Sequence, residues 1–160
     1  MRDRPRIVVL SGLPGSGKST WARKQGVAVV STDDVRFLLS DDVSNQLIHG
    51  AVFATVRYLV RKRLELRRPV TYVDATNSTT GERRTYIKLA QLYDAAAEAV
   101  FFDTPVEICK ERNRGRERMV PEWAIEAMAA RISRPSLEEG FSVVTIYSAG
   151  GIPERYDAES

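Results

Sequence analysis

The sequence predicts an α/β fold, a three-layer sandwich with a parallel five-stranded sheet, formed by one domain across residues 1–160. Five short apolar runs are rich in β-branched residues and lack strict polar alternation, which is typical of parallel strands buried on both faces. Segments with helical spacing alternate with these runs, and this order favours a parallel sheet covered by helices. The predicted strands are residues 7–10, 27–30, 70–73, 99–102 and 143–146.

Helix-like segments lie between the strands. The longest has apolar residues at helical spacing. Residues 79–82 and 104–107 resemble capping boxes, and Pro121 precedes the last helical segment as a start signal. The polar, acidic end of the chain, from about residue 150, is expected to be flexible. The predicted helices are residues 18–24, 44–67, 79–93, 106–112 and 122–132.

The composition excludes several classes of protein. A single cysteine excludes an intramolecular disulfide framework, and a single histidine argues against a histidine-rich metal site. No stretch approaches the roughly 20 apolar residues of a membrane helix, and the N-terminus does not resemble a secretory signal. We therefore expect a cytoplasmic protein with no membrane contact. The net charge, 24 − 21 = +3, fits an anionic partner.

A glycine-rich segment after the first predicted strand carries the strongest functional signal. Residues 12–19 read GLPGSGKS, which fits G-x-x-x-x-G-K-[ST]. Glycines let backbone N–H groups approach an anion, while Lys18 suits the β- and γ-phosphates and the Ser19 hydroxyl suits Mg²⁺. The pattern predicts a P-loop NTPase fold that binds ATP and Mg²⁺. The predicted phosphate-binding residues are Gly12, Pro14, Gly15, Ser16, Gly17, Lys18, Ser19 and Thr20.

The segment after the second strand indicates what accepts the phosphoryl group. The chain has no guanine-reading N-K-x-D motif and is small for an ATPase motor, which leaves a small kinase. A hydroxyl acceptor must lose a proton, so Asp33 is a candidate base. Arg36, three residues later on a helix face, is a candidate ligand for an acceptor phosphate. The alternative is that Thr32 or Asp33 caps the helix and Asp34 interacts with its dipole.

Acidic residues also follow the third and fourth strands. Asp74 resembles a Walker B carboxylate, which orients Mg²⁺ or its water. The alternative is that Asp74 and Asn77 organise the turn and cap the next helix. Asp103 precedes a threonine and a proline, so a capping role is the better interpretation there.

Four arginines occur within residues 112–118. A lid that closes over a triphosphate would supply the anions that such a cluster needs, because arginine stabilises the charge on a transferring phosphoryl group. Arg116 and Arg118 are the preferred pair. The alternative is a solvated basic loop.

Together these motifs resemble the kinase module of the phage and bacterial polynucleotide 5′-kinases of end-healing and RNA repair. The likeness extends from about residue 7 to residue 147, and it is closest to the modules that begin bacterial kinase-phosphatase-ligase proteins. The segments that carry it are GLPGSGKSTWARK, STDDVR, LSDD, VDATN followed by ERR, and KERNRGRERMVP.

The resemblance implies transfer of the ATP γ-phosphate to a 5′-hydroxyl of RNA or DNA. It implies that Asp33 is the general base, that Arg36 contacts the phosphate of the acceptor, and that Arg116 and Arg118 are the lid arginines. Two other hypotheses remain open. One is a P-loop kinase of a small hydroxylic metabolite, nucleoside or antibiotic, and the other is a nucleotide-binding switch without transfer activity.

The remaining residues of interest have less specific interpretations. His49, Trp21, Trp123 and Tyr58 are expected to pack or to lie at the surface, and Cys109 is expected to be buried and inert. Basic residues crowd the N-terminus and the end of the longest predicted helix, where they form either a track for a nucleic-acid backbone or a solvated face. They are Arg2, Arg4, Arg6, Arg57, Arg61, Lys62, Arg63, Arg67 and Arg68.

Overall fold

The computed structural model describes residues 4–116 and 119–159. Over those residues the chain folds around one sheet of six strands, in the order β2-β3-β1-β4-β5-β6. The strands are β1 (Arg6–Gly12), β2 (Val29–Ser31), β3 (Val70–Asp74), β4 (Ala96–Asp103), β5 (Val143–Ser148) and β6 (Glu154–Asp157).

The predicted parallel sheet is confirmed for β1 to β5, but the predicted count of five strands is wrong. The sixth strand, β6, runs antiparallel to β5 within the segment that was expected to be flexible. All four of its side chains are exposed. Backbone pairing with β5 is therefore the main contact of this strand, and the strand has no apolar pattern that the sequence could reveal.

Helices connect the strands, and the helix that begins furthest from its prediction is α3, which starts at His49 rather than at residue 44. The Asp42 carboxylate accepts a hydrogen bond from the backbone amide of Ser44, and the Asn45 side-chain oxygen accepts one from the amide of Leu47, at 2.9 Å in each case. Such local bonds hold the backbone in turns that compete with a helix. The helices are α1 (Lys18–Arg23), α2 (Thr32–Ser40), α3 (His49–Glu65), α4 (Thr80–Leu92), α5 (Val106–Arg114) and α6 (Glu122–Arg131), with a 3₁₀ turn at Leu137–Glu139.

Apolar side chains form three clusters around the sheet. The largest packs α2, α3 and α4 against one face, and α3 contributes a buried stripe of Val52, Val56, Val60 and Leu64. A second cluster covers the other face, where Ala22 of α1 meets Leu10 and Phe102. A third joins α5 and α6 to Leu13, the residue after β1. Among the described residues, no helix has the length and apolarity needed to cross a bilayer.

One edge of the sheet collects the carboxyl ends of the central strands. Asp74 lies level with Leu10 of β1 and with Ser31 of β2. In parallel sheets such an edge is where ligands bind, because the loops that follow the strands converge there. The glycine-rich loop, the start of α2 and the end of β3 are therefore neighbours.

A fully buried arginine, Arg83, fixes the turn that follows β3. Its guanidinium donates to Glu139 at 2.9 and 3.2 Å, to the carbonyls of Asn77 and Ser133 at 3.0 Å each, and to the Ser133 hydroxyl. The Asn77 amide donates to the Leu10 carbonyl at 2.7 Å. The structure therefore supports the turn-organising role considered for Asn77, whereas the N-cap of α4 is Thr79.

Candidate nucleotide and acceptor site

A cavity of about 1480 Å³ lies at the carboxyl edge of the sheet. It is lined by the loop after β1, the first turn of α2, the end of β3, the end of β5 and one side of α6. Two predicted residues are not among those that line it. The Gly12 carbonyl accepts a hydrogen bond from Lys18, and Arg118 lies outside the described residues. The sequence-predicted residues along the cavity wall are Pro14, Gly15, Ser16, Gly17, Lys18, Ser19, Thr20, Asp33, Arg36, Asp74 and Arg116.

Lys18 is buried at the base of the loop. Its Nζ donates to the carbonyls of Gly12 and Leu13 at 2.7 and 2.9 Å. Burial lowers the pKa of Lys18 to about 8, and the negative charge of Asp74 acts in the opposite direction. The ammonium group is therefore held by carbonyl dipoles, and an anion in the loop would stabilise its charge much more strongly.

Ser19 and Asp74 meet directly, since the Ser19 hydroxyl donates to Oδ2 of Asp74 at 2.6 Å. Burial raises the pKa of Asp74 above its ordinary value, while this hydrogen bond and the charge of Lys18 lower it. A hydroxyl and a carboxylate side by side are hard oxygen donors of the kind Mg²⁺ takes together with substrate phosphates. The described residues contain no group of three or more His, Cys, Asp or Glu side chains arranged so that they could hold a metal ion. The pair thus fits a phosphate-bound Mg²⁺ rather than a cage made by protein alone.

The glycine-rich loop approaches neighbouring backbone too closely for larger residues. A Cβ on Gly15 would lie 2.7 Å from the Cys109 carbonyl oxygen, and the φ of Gly15 is +82°. Ser16 is buried, and its hydroxyl has no hydrogen-bond partner within the described part of the chain. A buried hydroxyl of this kind is costly unless something binds it. The loop therefore offers an unused donor to an anion.

Two side chains from the β4–α5 region support the loop from behind. The Thr104 hydroxyl donates to the Ser16 carbonyl at 2.9 Å, and Arg112 Nη1 donates to the Gly15 carbonyl at 3.2 Å. The capping box predicted at Thr104 is wrong, because Pro105 is the N-cap of α5 and no side chain caps it. Asp103 is not a cap either, since its carboxylate pairs with Arg134.

The arginine-rich segment divides into residues with different partners. Arg114 faces outward and pairs with Glu122 at 2.7 Å. Asn113 is buried, and its amide exchanges two hydrogen bonds with the backbone of Val120, at 2.6 and 2.8 Å. Arg116 lines the cavity together with Arg112. The described cations that reach the cavity from this segment are therefore Arg112 and Arg116.

Ser31 caps α2, because its hydroxyl accepts the amide of Asp34 at 3.3 Å. The alternative interpretation, in which Thr32 or Asp33 caps this helix, is therefore wrong. Asp33 instead lines the cavity. Its negative charge is close enough to contribute an upward shift to the pKa of Asp74 and to oppose part of the lowering that burial causes at Lys18. Asp34 is exposed. Of the two acids, Asp33 is thus the one that faces the glycine-rich loop.

Arg36 is buried one turn further along α2. Its Nη1 donates to the Asn45 carbonyl at 2.8 Å, and its Nη2 lies 3.1 Å from Nδ1 of His49. Asn45 lies in the turn between α2 and α3, and His49 is the first residue of α3. His49 and Phe53 line the same end of the cavity, with their rings 5.9 Å apart. Sequence reasoning assigned His49 to packing or surface because a lone histidine carries no spacing signal.

Aromatic side chains form two parts of the cavity wall. Trp21 packs edge-on against Tyr72 and Phe102, with centroids 5.7 and 5.9 Å away, so its predicted packing role is confirmed. Trp123, on α6, is 72% exposed although it lines the cavity, and Met119, which also lines it, is 63% exposed. Such exposed apolar surface within a cavity marks a place for an apolar or aromatic part of a ligand.

Several of the basic residues that the sequence analysis considered as a track or as a solvated face contact other groups of the chain. Arg6 pairs with Glu98 at 2.8 Å, and Lys62 pairs with Glu65 at 2.9 Å. Arg63 donates to the carbonyl of Val70. Arg4 pairs with Asp94, Arg67 donates to the Tyr93 carbonyl, and Arg2 lies outside the described residues. Among the described residues of this basic set, those without a side-chain hydrogen bond or ion pair are Arg57, Arg61 and Arg68.

A family model decides the classification. The model of the AAA_33 family, described as an AAA domain, matches residues 7–135. The chain belongs to this family. This match and the sheet topology establish that the AAA_33 domain described here has the P-loop kinase fold that the sequence predicted.

Curated relatives include kinases with different acceptors. The bifunctional polynucleotide phosphatase/kinase of Schizosaccharomyces pombe is 28% identical over 151 residues, which are 89% of this chain and 33% of that protein. The L-seryl-tRNA(Sec) kinase of Methanococcus maripaludis is 22% identical over 147 residues, 88% of this chain and 57% of that protein. The AAA_33 chain thus spans about a third to three fifths of these relatives.

A solved structure of the Pnkp1/Rnl/Hen1 RNA repair complex is also similar. It matches with a TM-score of 0.65 and 25% identity, over 82% of this chain and 45% of the matched chain. With the Schizosaccharomyces pombe relative, it confirms the resemblance to polynucleotide 5′-kinases that the motifs indicated.

Proposed function

We propose that this protein transfers the γ-phosphate of ATP to the 5′-hydroxyl end of a polynucleotide. The observation that carries the proposal is that Asp33 and Arg36 open from α2 into the same cavity as Lys18, Ser19 and Asp74. A potential base and a potential phosphate ligand therefore face the glycine-rich loop across one space. This is the arrangement that transfer to a hydroxyl group requires.

The donor is placed with its phosphates in the loop of residues 12–19. Lys18 exchanges its carbonyl partners for the β- and γ-phosphates, and the buried Ser16 hydroxyl and the loop amides donate to the same oxygens. Ser19 and Asp74 would hold Mg²⁺, which would neutralise the negative charge that develops on the phosphates. Arg116 enters from the α5–α6 side to contact the γ-phosphoryl group.

The chemical step needs one proton acceptor and alignment. Asp33 takes the proton of the 5′-hydroxyl, and the resulting oxygen forms a bond to the γ-phosphorus while the bond to the β–γ bridging oxygen breaks. ADP leaves with that electron pair. Lys18 and Arg116 stabilise the negative charge that spreads over the phosphoryl oxygens, so the protein contributes mainly position and electrostatics.

The acceptor end of the cavity suits a terminal nucleotide. Arg36 provides a planar, charged donor for the phosphate that follows the terminal nucleoside. The exposed ring of Trp123 and the side chain of Met119 offer an apolar surface on which a nucleobase can stack. The likeness to the Schizosaccharomyces pombe polynucleotide phosphatase/kinase supports the same acceptor class.

A second candidate is a kinase of a smaller hydroxylic compound, such as a nucleoside. The dispersal of the basic residues into internal pairs favours it, because a long nucleic acid would contact few cations outside the cavity. The Asp33 chemistry would be the same. The relative from Methanococcus maripaludis is named for a different acceptor, L-seryl-tRNA(Sec), so the relatives do not share one acceptor.

Labelled ATP offered with acceptors of increasing size separates the two candidates. The series is a sugar, adenosine, adenosine 3′-monophosphate, and 5′-hydroxyl oligonucleotides of two to ten nucleotides. We expect kcat/KM to rise at the first 3′-phosphate and to change little beyond the first few nucleotides. Equal transfer to adenosine or to the sugar would contradict the polynucleotide proposal. ATP binding without transfer to any of these acceptors would favour the nucleotide-binding switch.

A further inference from the structure

The guanidinium of Arg36 is held by contacts from outside its own helix. The Asn45 carbonyl accepts Nη1 at 2.8 Å, and Nδ1 of His49 lies 3.1 Å from Nη2. Asn45 lies in the turn before α3, and His49 is the first residue of α3, so both belong to the segment that runs from the end of α2 into α3. The orientation of Arg36 therefore depends on this segment as well as on α2.

The chemistry of arginine fixes the protonation of His49. A guanidinium has N–H donors and no acceptor, and it stays charged under all ordinary conditions. A hydrogen bond to it therefore requires a lone pair on Nδ1, which assigns the neutral tautomer with its proton on Nε2. With a proton on Nδ1, the N–H groups of His49 and Arg36 would point at each other, and no lone pair would face the positively charged guanidinium.

The ring of His49 is itself fixed and close to the acceptor end of the cavity. It leans on Phe53, with centroids 5.9 Å apart and planes at 39°, and both residues line the cavity with Arg36. Arg36 is only 4% exposed. A side chain so enclosed can present its charge to a ligand only in the direction that its neighbours allow.

We propose that His49 is a positioning residue that directs Arg36 toward the phosphate of the acceptor. The inference rests on the proposed function, because it takes the phosphate-bearing acceptor from there. His49 touches neither the reacting hydroxyl nor the donor in this proposal, and it acts only through Arg36. Its loss should weaken phosphate recognition while the donor site keeps its affinity.

Two variants separate positioning from packing. His49→Asn places an amide oxygen near the position of Nδ1 and keeps the acceptor, whereas His49→Leu fills similar space without one. The probes are adenosine 3′-monophosphate and adenosine, with dissociation constants measured by calorimetry, so that the result does not depend on transfer activity. ATP is the control ligand.

We expect the wild-type protein to bind adenosine 3′-monophosphate more tightly than adenosine, which is a preference for the 3′-phosphate. His49→Leu should reduce this preference about tenfold or more, while ATP binding changes less than twofold. His49→Asn should recover most of the preference. In Arg36→Ala the preference should be lost, and adding His49→Leu should cost nothing further. A full preference in His49→Leu, or an equal loss in His49→Asn, would overturn the proposal.

The tautomer gives a second and independent test. The chain has one histidine, so its imidazole nitrogen signals need no assignment to a residue, and their couplings to the ring protons distinguish Nδ1 from Nε2. We expect ¹⁵N spectra near neutral pH to show a protonated Nε2 and an unprotonated Nδ1, with a changed pattern in Arg36→Ala. A protonated Nδ1 would overturn the proposal even if transfer to 5′-hydroxyl ends is confirmed. Absence of transfer with the expected tautomer and phosphate preference would instead contradict only the proposed reaction.

Discussion

The Ser31 hydroxyl accepts the amide of Asp34 at 3.3 Å, and this bond supplies the N-cap of α2. The neighbouring Asp33 carboxylate is consequently not the cap, and it lines the cavity opposite the glycine-rich loop. Two adjacent acids of the same helix turn thus have different surroundings. That difference makes them a matched pair for testing the proposed base.

Asp33→Asn should lower kcat for transfer to a 5′-hydroxyl oligonucleotide by about 10²–10⁴-fold, because the amide cannot take the proton of the acceptor. Asp34→Asn removes a charge from the same turn and should change kcat by less than about threefold. Steady-state kinetics with both variants, together with ATP dissociation constants, checks this. Near-normal turnover in Asp33→Asn would remove Asp33 as the base.

The buried ammonium of Lys18 predicts a pH dependence for donor binding. Burial lowers the pKa of Lys18 to about 8 in the protein without nucleotide, and a bound triphosphate should raise it again. As pH rises above about 8, the free protein loses this proton and ATP binding must restore it. The affinity should therefore fall by up to about tenfold per pH unit, with proton uptake on binding.

Calorimetry in two buffers of different ionisation enthalpy measures that proton uptake at pH 9. Lys18→Arg is the comparison, because a guanidinium stays charged over this range. The variant should bind more weakly, but its affinity should hardly change between pH 8 and pH 9.5. An equally flat profile in wild type would show that Lys18 keeps its proton when the loop is empty.

Gly15 and Gly26 test the crowding of the glycine-rich loop. Both have positive φ, +82° and +73°, so alanine at either costs roughly 1–2 kcal/mol of backbone strain. Only at Gly15 does the new Cβ meet another backbone atom, the Cys109 carbonyl oxygen at 2.7 Å. Gly15→Ala should weaken ATP binding at least tenfold, whereas Gly26→Ala should lower only the unfolding free energy. Unchanged ATP affinity in Gly15→Ala would mean that the backbone of α5 at Cys109 shifts away from the new Cβ at little cost.

The Thr104 hydroxyl should contribute to donor binding by holding the Ser16 carbonyl. Thr104→Val removes a bond of about 0.5–1.5 kcal/mol, and ATP affinity should fall roughly two- to tenfold without an effect on the acceptor KM. Thr55→Val is the control, since that hydroxyl bonds within α3 to the Ala51 carbonyl. Equal ATP affinities in the two variants would contradict this role.

Arg83 should be essential for stability. Arg83→Ala leaves the nearly buried Glu139 without its partner and should lower the unfolding free energy by about 3–5 kcal/mol. Arg114→Ala, which breaks an exposed pair with Glu122, should cost no more than about 1 kcal/mol. Urea unfolding of both variants measures the difference, and similar losses would refute the assigned importance of the buried pair.

The sequence was sufficient to predict the central fold and the residues of the glycine-rich loop. β1 to β5 are apolar runs, and Lys18 and Ser19 stand at fixed places in a motif whose spacing reflects phosphate geometry. β6 escaped prediction because it contributes no side chain to the core. The start of α3 was misplaced because Asp42 and Asn45 bind local amides, which a periodicity of apolar residues does not register.

Contacts between distant segments account for what sequence reasoning missed at the site. Thr104 reads as a cap, yet its hydroxyl reaches a carbonyl 88 positions earlier in the chain. Asn113 belongs to no motif, but two hydrogen bonds connect its side chain to the backbone of Val120. The same holds for His49, because its contact with Arg36 arises only when α3 packs beside α2.

The antiparallel pairing of β6 with β5 has a consequence for how molecules meet in solution. Without β6, the outer margin of β5 would present a row of unsatisfied amides and carbonyls, to which a second chain could add a strand. The opposite margin is β2, which is only three residues long. Short border strands on both sides leave little template for intermolecular strand addition, so this arrangement protects the folded chain against aggregation through its sheet.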